Sequence, residues 1–555
     1  MKYLTKSKFK LATECPTKLF YTGKKEYANT SLDNPFLEAL AEGGFQVGEL
    51  AKQYFPNGHN IHTLNYDEAL EQTNALLEQD EVVIYEAAIK HDNLFIRVDI
   101  LVKCGNYIKL YEVKAKSIDL TDNSFLTKTG DKVLAGWKPY LFDIAFQRYV
   151  VRSAFPDSVV TAYLYLVDKN KTAPTSGLNQ KFQIIEDKNR RKGIKVSTSL
   201  TKEDLSTEML CKVPVDEYCD LIFDTEAGND ERGVGFKRRI NEYMDSYVND
   251  TKIKPRLSSA CGKCEFKASQ EDLDDGKLSG YRECWKQQLN WSDKDFDKPN
   301  VLNIWNFRGK DKFIQEGKIK FSDIYEEDIK PDESPTKERQ WLQVEKVKHN
   351  DDSIWLDKVG LKTEMDSWVF PLHFIDFETT AMAIPFNQGR RPYEGIAFQF
   401  SHHIAYEDGT YEHNGQYLNI EQGHFPNFDF VRSLKTELEK DVGSVFRYAT
   451  HENTYMNIIY NQLKRSTEHD RQELCEWIQT ISHSGGDTAD QWEGKRDMID
   501  LLEVVKKYYY HPQMKGSNSI KAVLPAILNN STFLQKKYKL YTTELILFIA
   551  NIAKN

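Results

Sequence analysis

The sequence predicts an α/β protein, because segments typical of strands flank a segment typical of a helix. An apolar run, LFIRVDILV, is followed by a polar turn and a second strand, YIKLYEV. Residues 137–155 then show the apolar spacing of a helix and precede a third strand, SVVTAYLYLV, which gives a strand, a crossover helix and a strand in series. With 555 residues the chain exceeds what one core usually holds, so we expect two or three domains.

The first two strands carry residues whose types and spacing indicate a metal-dependent site. Asp99 lies on the first strand, and the two-residue period of the second turns Glu112 and Lys114 to one face. If the strands pair as a hairpin, the two carboxylates can seat Mg²⁺ or Mn²⁺ beside a lysine that stabilises a phosphate or positions water. The alternative is a strand pair with exposed charges and Lys114 in a surface ion pair, because this short pattern also arises by chance.

The net charge of −10 argues against a uniformly basic nucleic-acid coat but leaves room for local basic patches. One such patch is KNRRKGIK; the alternative is a solvated basic loop. Its candidate nucleic-acid contacts are Lys188, Arg190, Arg191 and Lys192.

The N terminus lacks the apolar region of a secretory signal, and no apolar run reaches the roughly 18 residues of a membrane span. We therefore expect a cytoplasmic protein without a membrane partner.

Eight cysteines in a long intracellular chain are better candidates for ligands or buried thiols than for a disulfide framework. Cys261 and Cys264 form a CxxC pair, Cys284 follows in GYREC, and Cys15 lies far upstream. A single CxxC is a modest indication of a metal site. For Cys15 the alternative is a buried apolar thiol.

Gln147 and Tyr149 lie on the predicted helix that follows the ExK strand, and with them the chain resembles the RecB-like branch of the PD-(D/E)xK nucleases. The resemblance implies a restriction-endonuclease-like fold in which a glutamine and a tyrosine of this helix complete the site. The upstream helix FLEALAEGGFQVGELAKQYF is also similar to theirs. That branch often has a histidine where this chain has Gly48, so Glu49 is our candidate for the missing ligand.

One early cysteine with a late CxxC and a further cysteine around such a core resembles the iron-sulfur nucleases of the AddB type and the CRISPR-associated exonucleases. The resemblance implies a 4Fe-4S cluster held by Cys15, Cys261, Cys264 and Cys284. Zn²⁺ remains the alternative, because four thiolates suit either metal. These ligands would end the first domain near residue 290, and PDESPTKERQ predicts an exposed turn or linker in the region that follows.

A second carboxylate pair opens the last third of the chain in the strand PLHFIDFETT. Asp376 and Glu378 share one face of this strand and can bind divalent ions jointly. A second strand follows, and then a strand that leads into a helix, an order that resembles the RNase H-like fold of the DnaQ (DEDD) exonucleases. The resemblance places Asp376 and Glu378 in the first motif and Glu452 where the second motif has an aspartate.

The later segment IDLLEVVKKYYYHPQMKGSN resembles the family called domain of unknown function 2779, whose members join these two modules in one chain. We therefore expect a PD-(D/E)xK domain at residues 1–290, a helical linker region at 291–368 and an RNase H-like domain at 369–555. Related chains continue to a final aspartate-containing motif, so we expect the last domain to be truncated. Asp500 lies where such folds usually keep a non-catalytic aspartate.

The predicted function is hydrolysis of DNA phosphodiester bonds with Mg²⁺ or Mn²⁺, in repair or in defence against mobile DNA. The preference for DNA, and for ends or single strands over internal sites, is implied by the resemblance alone. The alternatives are a nucleic-acid-binding scaffold with decayed sites and a 3'-5' exonuclease acting through the C-terminal domain. The chain has no GxxxxGK[ST] sequence, so ATP-driven unwinding would come from a partner such as a helicase or another repair or defence protein.

Overall fold

The structure is a computed structural model that describes residues 2–32, 35–121, 125–186, 192–486 and 488–537. Contacts divide the chain into two compact units. The first unit consists of Met1–Arg256, Glu265–Gln288 and Met382–Glu394. The second unit consists of Leu257–Cys264, Leu289–Ala381 and Gly395–Asn555. Both units combine sheets with helices, which confirms the α/β class, and the boundaries predicted near residues 290 and 368 stay predictions.

A mixed sheet forms the centre of the first unit. The strands of this unit are β1 (Leu4–Thr5), β2 (His59–Asn60), β3 (Glu81–His91), β4 (Leu94–Cys104), β5 (Tyr107–Ile118), β6 (Val159–Asp168), β7 (Phe182–Glu186), β8 (Lys192–Val196) and β9 (Leu210–Pro214). The described strands of the large sheet follow the order β2-β3-β4-β5-β6-β9, with β1 paired to β4, and β7 and β8 form a separate hairpin. Strand β4 pairs antiparallel with β5, which confirms the predicted hairpin, and β5 pairs parallel with β6.

The crossover between β5 and β6 is a helix whose residues are mostly buried. The helices up to residue 289 are α1 (Lys6–Glu14), α2 (Lys18–Tyr21), α3 (Pro35–Gln53), α4 (Tyr66–Leu77), α5 (Lys138–Ala154), α6 (Asp216–Asp224), α7 (Phe236–Val248), α8 (Gln270–Asp274) and α9 (Gly280–Leu289). Helix α1 packs on α5 through Phe9 and Phe146, whose stacked rings lie 4.3 Å apart between centroids. This contact fixes the N-terminal helix against the crossover helix.

A short segment from late in the sequence, Met382–Glu394, belongs to the first unit. The Asn179 side chain donates a hydrogen bond to the carbonyl oxygen of Ile384 at 3.1 Å. The backbone N–H of Ala173 donates to the carbonyl oxygen of Arg390 at 2.9 Å. The contact is between residues about 200 positions apart, which no local pattern of the sequence predicts.

The second unit contains a five-stranded sheet among its described residues, in the order β13-β12-β11-β14-β17. The described strands of the second unit as a whole are β10 (Trp355–Leu356), β11 (Leu372–Thr380), β12 (Ile396–Ala405), β13 (Tyr411–Leu418), β14 (Val445–Arg447), β15 (His483–Ser484), β16 (Trp492–Glu493), β17 (Ile499–Asp500) and β18 (Tyr509–Tyr510). Strand β12 pairs antiparallel with β11 and β13, whereas β11, β14 and β17 pair parallel in that order. Strand β12 therefore runs against the other four.

Helices flank this sheet and fill the region before it. They are α10 (Lys310–Gln315), α11 (Glu326–Ile329), α12 (Pro335–Lys348), α13 (Lys358–Asp366), α14 (Asn427–Leu438), α15 (His451–Lys464), α16 (Arg471–Ile481), α17 (Leu501–Tyr508), α18 (Ile520–Asn530) and α19 (Thr532–Lys537). Within the described ranges, none of the helices of either unit combines the length and the apolar character that crossing a membrane requires.

The exposed turn or linker expected at PDESPTKERQ is confirmed only for its first residues, Pro331–Glu333, which form a 3-10 turn, and it is wrong from Pro335 onwards, where helix α12 begins. The Ser334 side chain accepts a hydrogen bond from the backbone N–H of Lys337 at 3.3 Å, and Pro335 occupies the first turn. A serine followed by proline is a favourable helix start, since the cap satisfies a free N–H and proline has no N–H to satisfy. Around α12 the region has its own apolar cluster, formed by Val301, Ile304, Phe313, Phe321, Ile324, Ile329 and Val344.

Two buried histidines couple β11 to β12. The rings of His373 and His402 stack with centroids 5.1 Å apart, and His373 Nδ1 and His402 Nε2 share a hydrogen bond of 2.8 Å. His373 Nε2 also bonds Asp441 Oδ1 at 2.7 Å. Burial, followed by the neighbouring His373, lowers the pKa of His402 to about 4, and the charge of Glu437 opposes this shift only in part.

The lowered pKa of His402 predicts that acid destabilises the second unit. As the pH falls below about 6.5, the unfolded chain takes up the proton first, so stability is lost between that pH and about 4. This group alone should cost wild type about 2 kcal/mol between pH 7.5 and pH 5. The variant His402→Gln lacks this titrating group. Its free energy of unfolding should therefore lie about 2 kcal/mol closer to that of wild type at pH 5 than at pH 7.5, as measured by denaturant unfolding. An equal deficit at both pH values would contradict the assignment.

Candidate functional site

The predicted carboxylates Asp99 and Glu112 meet where the β4–β5 ladder ends. The paired register of these strands stops at Ile100 and Tyr111, and beyond it Asp99 Oδ2 accepts a hydrogen bond from the backbone N–H of Val113 at 2.8 Å. The carboxylate thus replaces a ladder bond between the strands. Glu112 follows on β5 with its side chain fully buried. The structure therefore brings these two predicted residues together.

The two carboxylates converge on an ammonium group that sequence reasoning missed. Lys6 Nζ donates to Asp99 Oδ1 at 3.0 Å and to Glu112 Oε1 and Oε2 at 3.1 and 3.0 Å. Lys6 is the first residue of α1, 93 positions before Asp99. The pairing of β1 with β4 and the docking of α1 on α5 together bring it to the centre.

A second layer of polar groups surrounds Glu112 from β5 and α5. The Lys114 ammonium contacts Glu112 and lies 3.1 Å from Asp143 Oδ2. Gln147 Nε2 donates to Glu112 Oε2 at 2.7 Å and to Asp143 Oδ1 at 3.1 Å. Gln147 was predicted and Asp143 was not, although four-residue spacing on an apolar helix is a signal that the two share one face. We call Lys6, Asp99, Glu112, Lys114, Asp143 and Gln147 the acidic centre.

The pKa values of the three carboxyl groups of the acidic centre are shifted in different directions. Burial by itself raises the pKa of Glu112, but the charges of Lys114 and Lys6 outweigh it and hold this pKa well below its usual range. Burial and the charge of Glu112 raise the pKa of Asp99, and the same two causes raise the pKa of Asp143 to about 6. Glu112 is therefore the fixed negative charge around which the two ammonium groups gather.

A third strand brings a further carboxylate to the edge of this centre. The β3–β4 register passes from Tyr85–Ile100 to Ala87–Val98, which sets Glu86 opposite Asp99. Glu86 has a φ of 56°, an uncommon backbone conformation for a non-glycine residue in a strand. Burial and the charge of Asp99 raise the pKa of Glu86. Sequence reasoning missed Glu86, because a single charge in an apolar strand does not reveal which residue it faces.

Two predicted residues contact other parts of the first unit. Glu49 Oε1 accepts a hydrogen bond from the Lys52 ammonium at 2.6 Å on α3. The Tyr149 ring stacks on Phe223 with centroids 5.5 Å apart, which its offset of two positions from Gln147 on the helix explains. Among the contacts of the described residues, neither side chain reaches Asp99 or Glu112.

The predicted cysteine ligands are distributed over both units. Cys15 and Cys284 belong to the first unit, where Tyr21 Oη and Cys284 Sγ share a hydrogen bond of 3.4 Å. Cys261 and Cys264 belong to the second, within a tight turn. In the part of the chain that the structure describes, no three His, Cys, Asp or Glu side chains form a ready metal-binding group. The four-cysteine cluster stays a prediction.

Most candidate contacts of the predicted basic patch lie outside the described residues. Lys188, Arg190 and Arg191 lie outside the described residues. The Lys192 ammonium lies 2.7 Å from Glu38 Oε1 and also contacts Glu42. At Lys192 the positive charge is therefore already matched by two carboxylates.

The second predicted carboxylate group lies on β11 and α15. Asp376 and Glu378 share one face of β11, as their spacing predicts, and both are exposed there. Glu452, in the first turn of α15, is buried, and its Oε2 has no hydrogen-bond partner among the described residues. Burial raises the pKa of Glu452 to about 7, and the charge of Asp376 adds to this shift.

Asp500 has a different environment from these three. Its carboxylate accepts hydrogen bonds from Arg447 at 2.8 Å and from the backbone N–H groups of Ala449 and Leu502 at 2.9 Å each. With Leu502 it caps helix α17. The non-catalytic role of Asp500 stays a prediction.

Comparison with known proteins gives one match. Residues 373–519 match the family described as Domain of unknown function (DUF2779), so this chain contains a DUF2779 domain. The matched residues include Asp376, Glu378 and Glu452. The comparisons with curated proteins and with solved structures found no match.

Removing the charge of Glu112 should destabilise the first unit in metal-free buffer. Glu112→Gln leaves the ammonium groups of Lys6 and Lys114 without their shared buried partner, and we expect a loss of about 3 kcal/mol in the free energy of unfolding. Glu49→Gln is the matched control, because its ion pair with Lys52 is partly exposed and should contribute about 1 kcal/mol or less. Denaturant unfolding in EDTA measures both variants, and equal losses would argue against Glu112 as the central charge.

Glu452→Gln should become relatively more stable as the pH rises. The folded chain holds the Glu452 proton up to about pH 7 and the unfolded chain only to about 4.5, so wild-type stability falls across this interval. The variant has no such penalty and should gain about 2 kcal/mol on wild type between pH 5 and pH 8. Denaturant unfolding in EDTA tests this, and a constant difference between the proteins would show that Glu452 is already ionised at pH 5.

Proposed function

We propose that this chain is a Mg²⁺- or Mn²⁺-dependent deoxyribonuclease of the PD-(D/E)xK type and that the acidic centre is its active site. The observation that carries the proposal is the convergence of Asp99 and Glu112 on one cationic atom, with Lys114 and Gln147 bound to the same Glu112. A surface strand pair, the alternative weighed on sequence, would leave Glu112 exposed. The complete burial of Glu112 favours a functional site over this alternative.

The side chains of the acidic centre fit a hard divalent cation. Their donor atoms are carboxylate oxygens, and Mg²⁺ is commonly held by one or two carboxylates while water and substrate phosphate complete its shell. Three oxygens of Asp99 and Glu112 accept hydrogen bonds from one positive charge, the Lys6 ammonium. This ammonium occupies the position that we propose for the divalent metal ion. Gln147 adds a buried Oε1 that lacks a hydrogen-bond partner among the described residues.

The proposed chemistry is hydrolysis of a phosphodiester bond. A bound divalent ion supplies charge neutralisation of the phosphate and a lowered pKa for the attacking water. Asp99 and Glu112 would hold the ion, and Lys114 would stabilise the negative charge that develops on the phosphate oxygens. Gln147 holds Glu112 in position through its hydrogen bond of 2.7 Å. Asp143 orients Lys114 by accepting a hydrogen bond from its ammonium nitrogen at 3.1 Å.

The substrate that we propose is DNA, at ends or on single strands, in repair or in defence against mobile DNA. This choice follows the RecB-like resemblance of the sequence. Four cysteines, Cys15, Cys261, Cys264 and Cys284, are proposed as ligands of a 4Fe-4S cluster, with Zn²⁺ as the alternative. Iron, sulfide and zinc analysis of anaerobically purified protein distinguishes the two.

A second candidate function is 3'-5' exonuclease activity of the second unit. It is favoured by a five-stranded sheet in which β12 alone runs against the other strands, an arrangement that supports the RNase H-like resemblance. Asp376 and Glu378 share a face of its central strand, and the charge of Asp376 contributes, after burial, to the raised pKa of Glu452. The two functions make different predictions for single variants.

The decisive variant is Lys114→Ala. It should reduce metal-dependent cleavage of linear and single-stranded DNA by about a thousandfold, because it removes the charge that stabilises the transition state, while DNA binding remains. Lys109→Ala is the matched control, since Lys109 lies on the same strand with an exposed side chain. Cleavage is measured with end-labelled oligonucleotides, and binding by fluorescence anisotropy in Ca²⁺.

Glu378→Ala, assayed in parallel, separates the candidate functions. If the acidic centre cuts DNA, this variant retains cleavage and Lys114→Ala does not. The reverse result would assign cleavage to the second unit. Wild-type protein that binds DNA but cleaves none of these substrates with Mg²⁺ or Mn²⁺ would favour the scaffold with decayed sites.

A further inference from the structure

We propose that Lys6 is the resident cation of the acidic centre and that a divalent metal ion binds by displacing its ammonium group from Asp99 and Glu112. This inference rests on the proposed function, because it assigns the metal to these two carboxylates. It adds a residue that the sequence patterns of the site do not include, and it gives that residue a role in setting the metal affinity.

The geometry of the Lys6 ammonium is that of a saturated cation site. An ammonium group has three N–H donors, and Lys6 directs its hydrogen bonds to three carboxylate oxygens, one of Asp99 and two of Glu112, at 3.0 to 3.1 Å. These are the oxygens that a divalent ion would take as ligands. Lys114 differs, because it lies between Glu112 and Asp143 and makes no described contact with Asp99.

The ammonium and a metal ion cannot share this point. An ammonium has no lone pair and so cannot be a metal ligand. Mg²⁺ requires its oxygen ligands at about 2.1 Å, which is shorter than the 3.0 to 3.1 Å between the Lys6 nitrogen and these oxygens. Two positive charges against the same carboxylates would also repel each other with little screening in a buried site. Entry of the metal ion therefore requires Lys6 to leave.

The structure allows Lys6 to leave without disturbing the fold. Helix α1 is anchored by Phe9, which stacks on Phe146, and by the buried Ala12. Lys6 is the first residue of this helix, and its side chain is about a quarter exposed. We expect rotation about the bonds of this side chain to move the ammonium towards solvent while α1 stays in place.

Charge balance explains what the ammonium does before metal arrives. Asp99, Glu112 and Asp143 would carry three negative charges, and Lys6 and Lys114 reduce their sum to one. Without Lys6 the metal-free centre would hold two unbalanced charges in a mostly buried place, which is costly. Lys6 thus stabilises the metal-free protein and competes with the metal ion for the same oxygens.

The test is titration of the full-length, DNA-free protein with Mn²⁺ by calorimetry. Lys6→Met, which keeps the chain length and removes the charge, should bind Mn²⁺ about tenfold more tightly than wild type, since the competing charged hydrogen bonds are gone. Its melting temperature should be lower than that of wild type in EDTA, and the difference should disappear in saturating Mn²⁺. A purely structural lysine would instead lower the melting temperature in both conditions.

Two control variants complete the titration. Lys10→Met removes an exposed charge from the same helix and should leave the Mn²⁺ affinity unchanged, and Lys6→Arg retains the cation and should bind no more tightly than wild type. Equal or weaker Mn²⁺ binding by Lys6→Met overturns the role of Lys6. If the Mn²⁺ binding of wild type is absent, or is unchanged in Glu112→Gln, the metal site of the proposed function is refuted, and this inference is refuted with it.

Chemical labelling of wild-type protein tests the displacement without a variant. Acetylation of lysines, mapped by peptide mass spectrometry, should modify Lys6 slowly in EDTA and several-fold faster in saturating Mn²⁺, relative to Lys10 in the same sample. An unchanged ratio, in protein whose calorimetry shows Mn²⁺ bound at the Glu112-dependent site, would show that Lys6 stays in place and would overturn the proposal.

Discussion

A carboxylate that is completely removed from solvent must find its compensation inside the protein, and in the first unit this constraint falls on Glu112. Lys114 comes from the same strand, Gln147 from the crossover helix, and Lys6 from the N-terminal helix. Three separate elements are therefore held in register by one buried charge. The acidic centre depends on this arrangement, because loss of either lysine leaves negative charge unbalanced in a buried place and loss of Gln147 removes a hydrogen bond from a buried carboxylate oxygen.

The apolar core supplies the rigidity that the acidic centre needs. The parallel pair of β5 and β6 requires a crossover connection, and α5 provides it with an almost entirely buried face. Since Gln147 and Asp143 lie on that helix one turn apart, the docking that buries its apolar residues also aims its polar ones at β5. The stacking of Phe9 on Phe146 then adds α1, and with it Lys6.

The second unit uses buried charge in a different way. Asp376 and Glu378 face solvent, and Asp500 is satisfied by backbone and arginine donors. Glu452 is buried, and its Oε2 has no hydrogen-bond partner among the described residues. The charge of Asp376 adds to the burial that raises the pKa of Glu452 to about 7. The unit therefore has a group of carboxylates around its central strand, one of which holds its proton near neutral pH.

The sequence by itself determined the features that have a short period: the β4–β5 hairpin, the crossover helix, the common face of Glu112 and Lys114, and the common face of Asp376 and Glu378 on β11. These follow from steps of two or about four residues, which local backbone geometry fixes. Lys6, Glu86 and the Met382–Glu394 segment were decided only by the tertiary structure, as was the assignment of Glu49 and Tyr149 to other contacts. Their partners lie far away in the sequence or across a strand register, and no local pattern records which distant residue a side chain will face once the helices dock and the strands align.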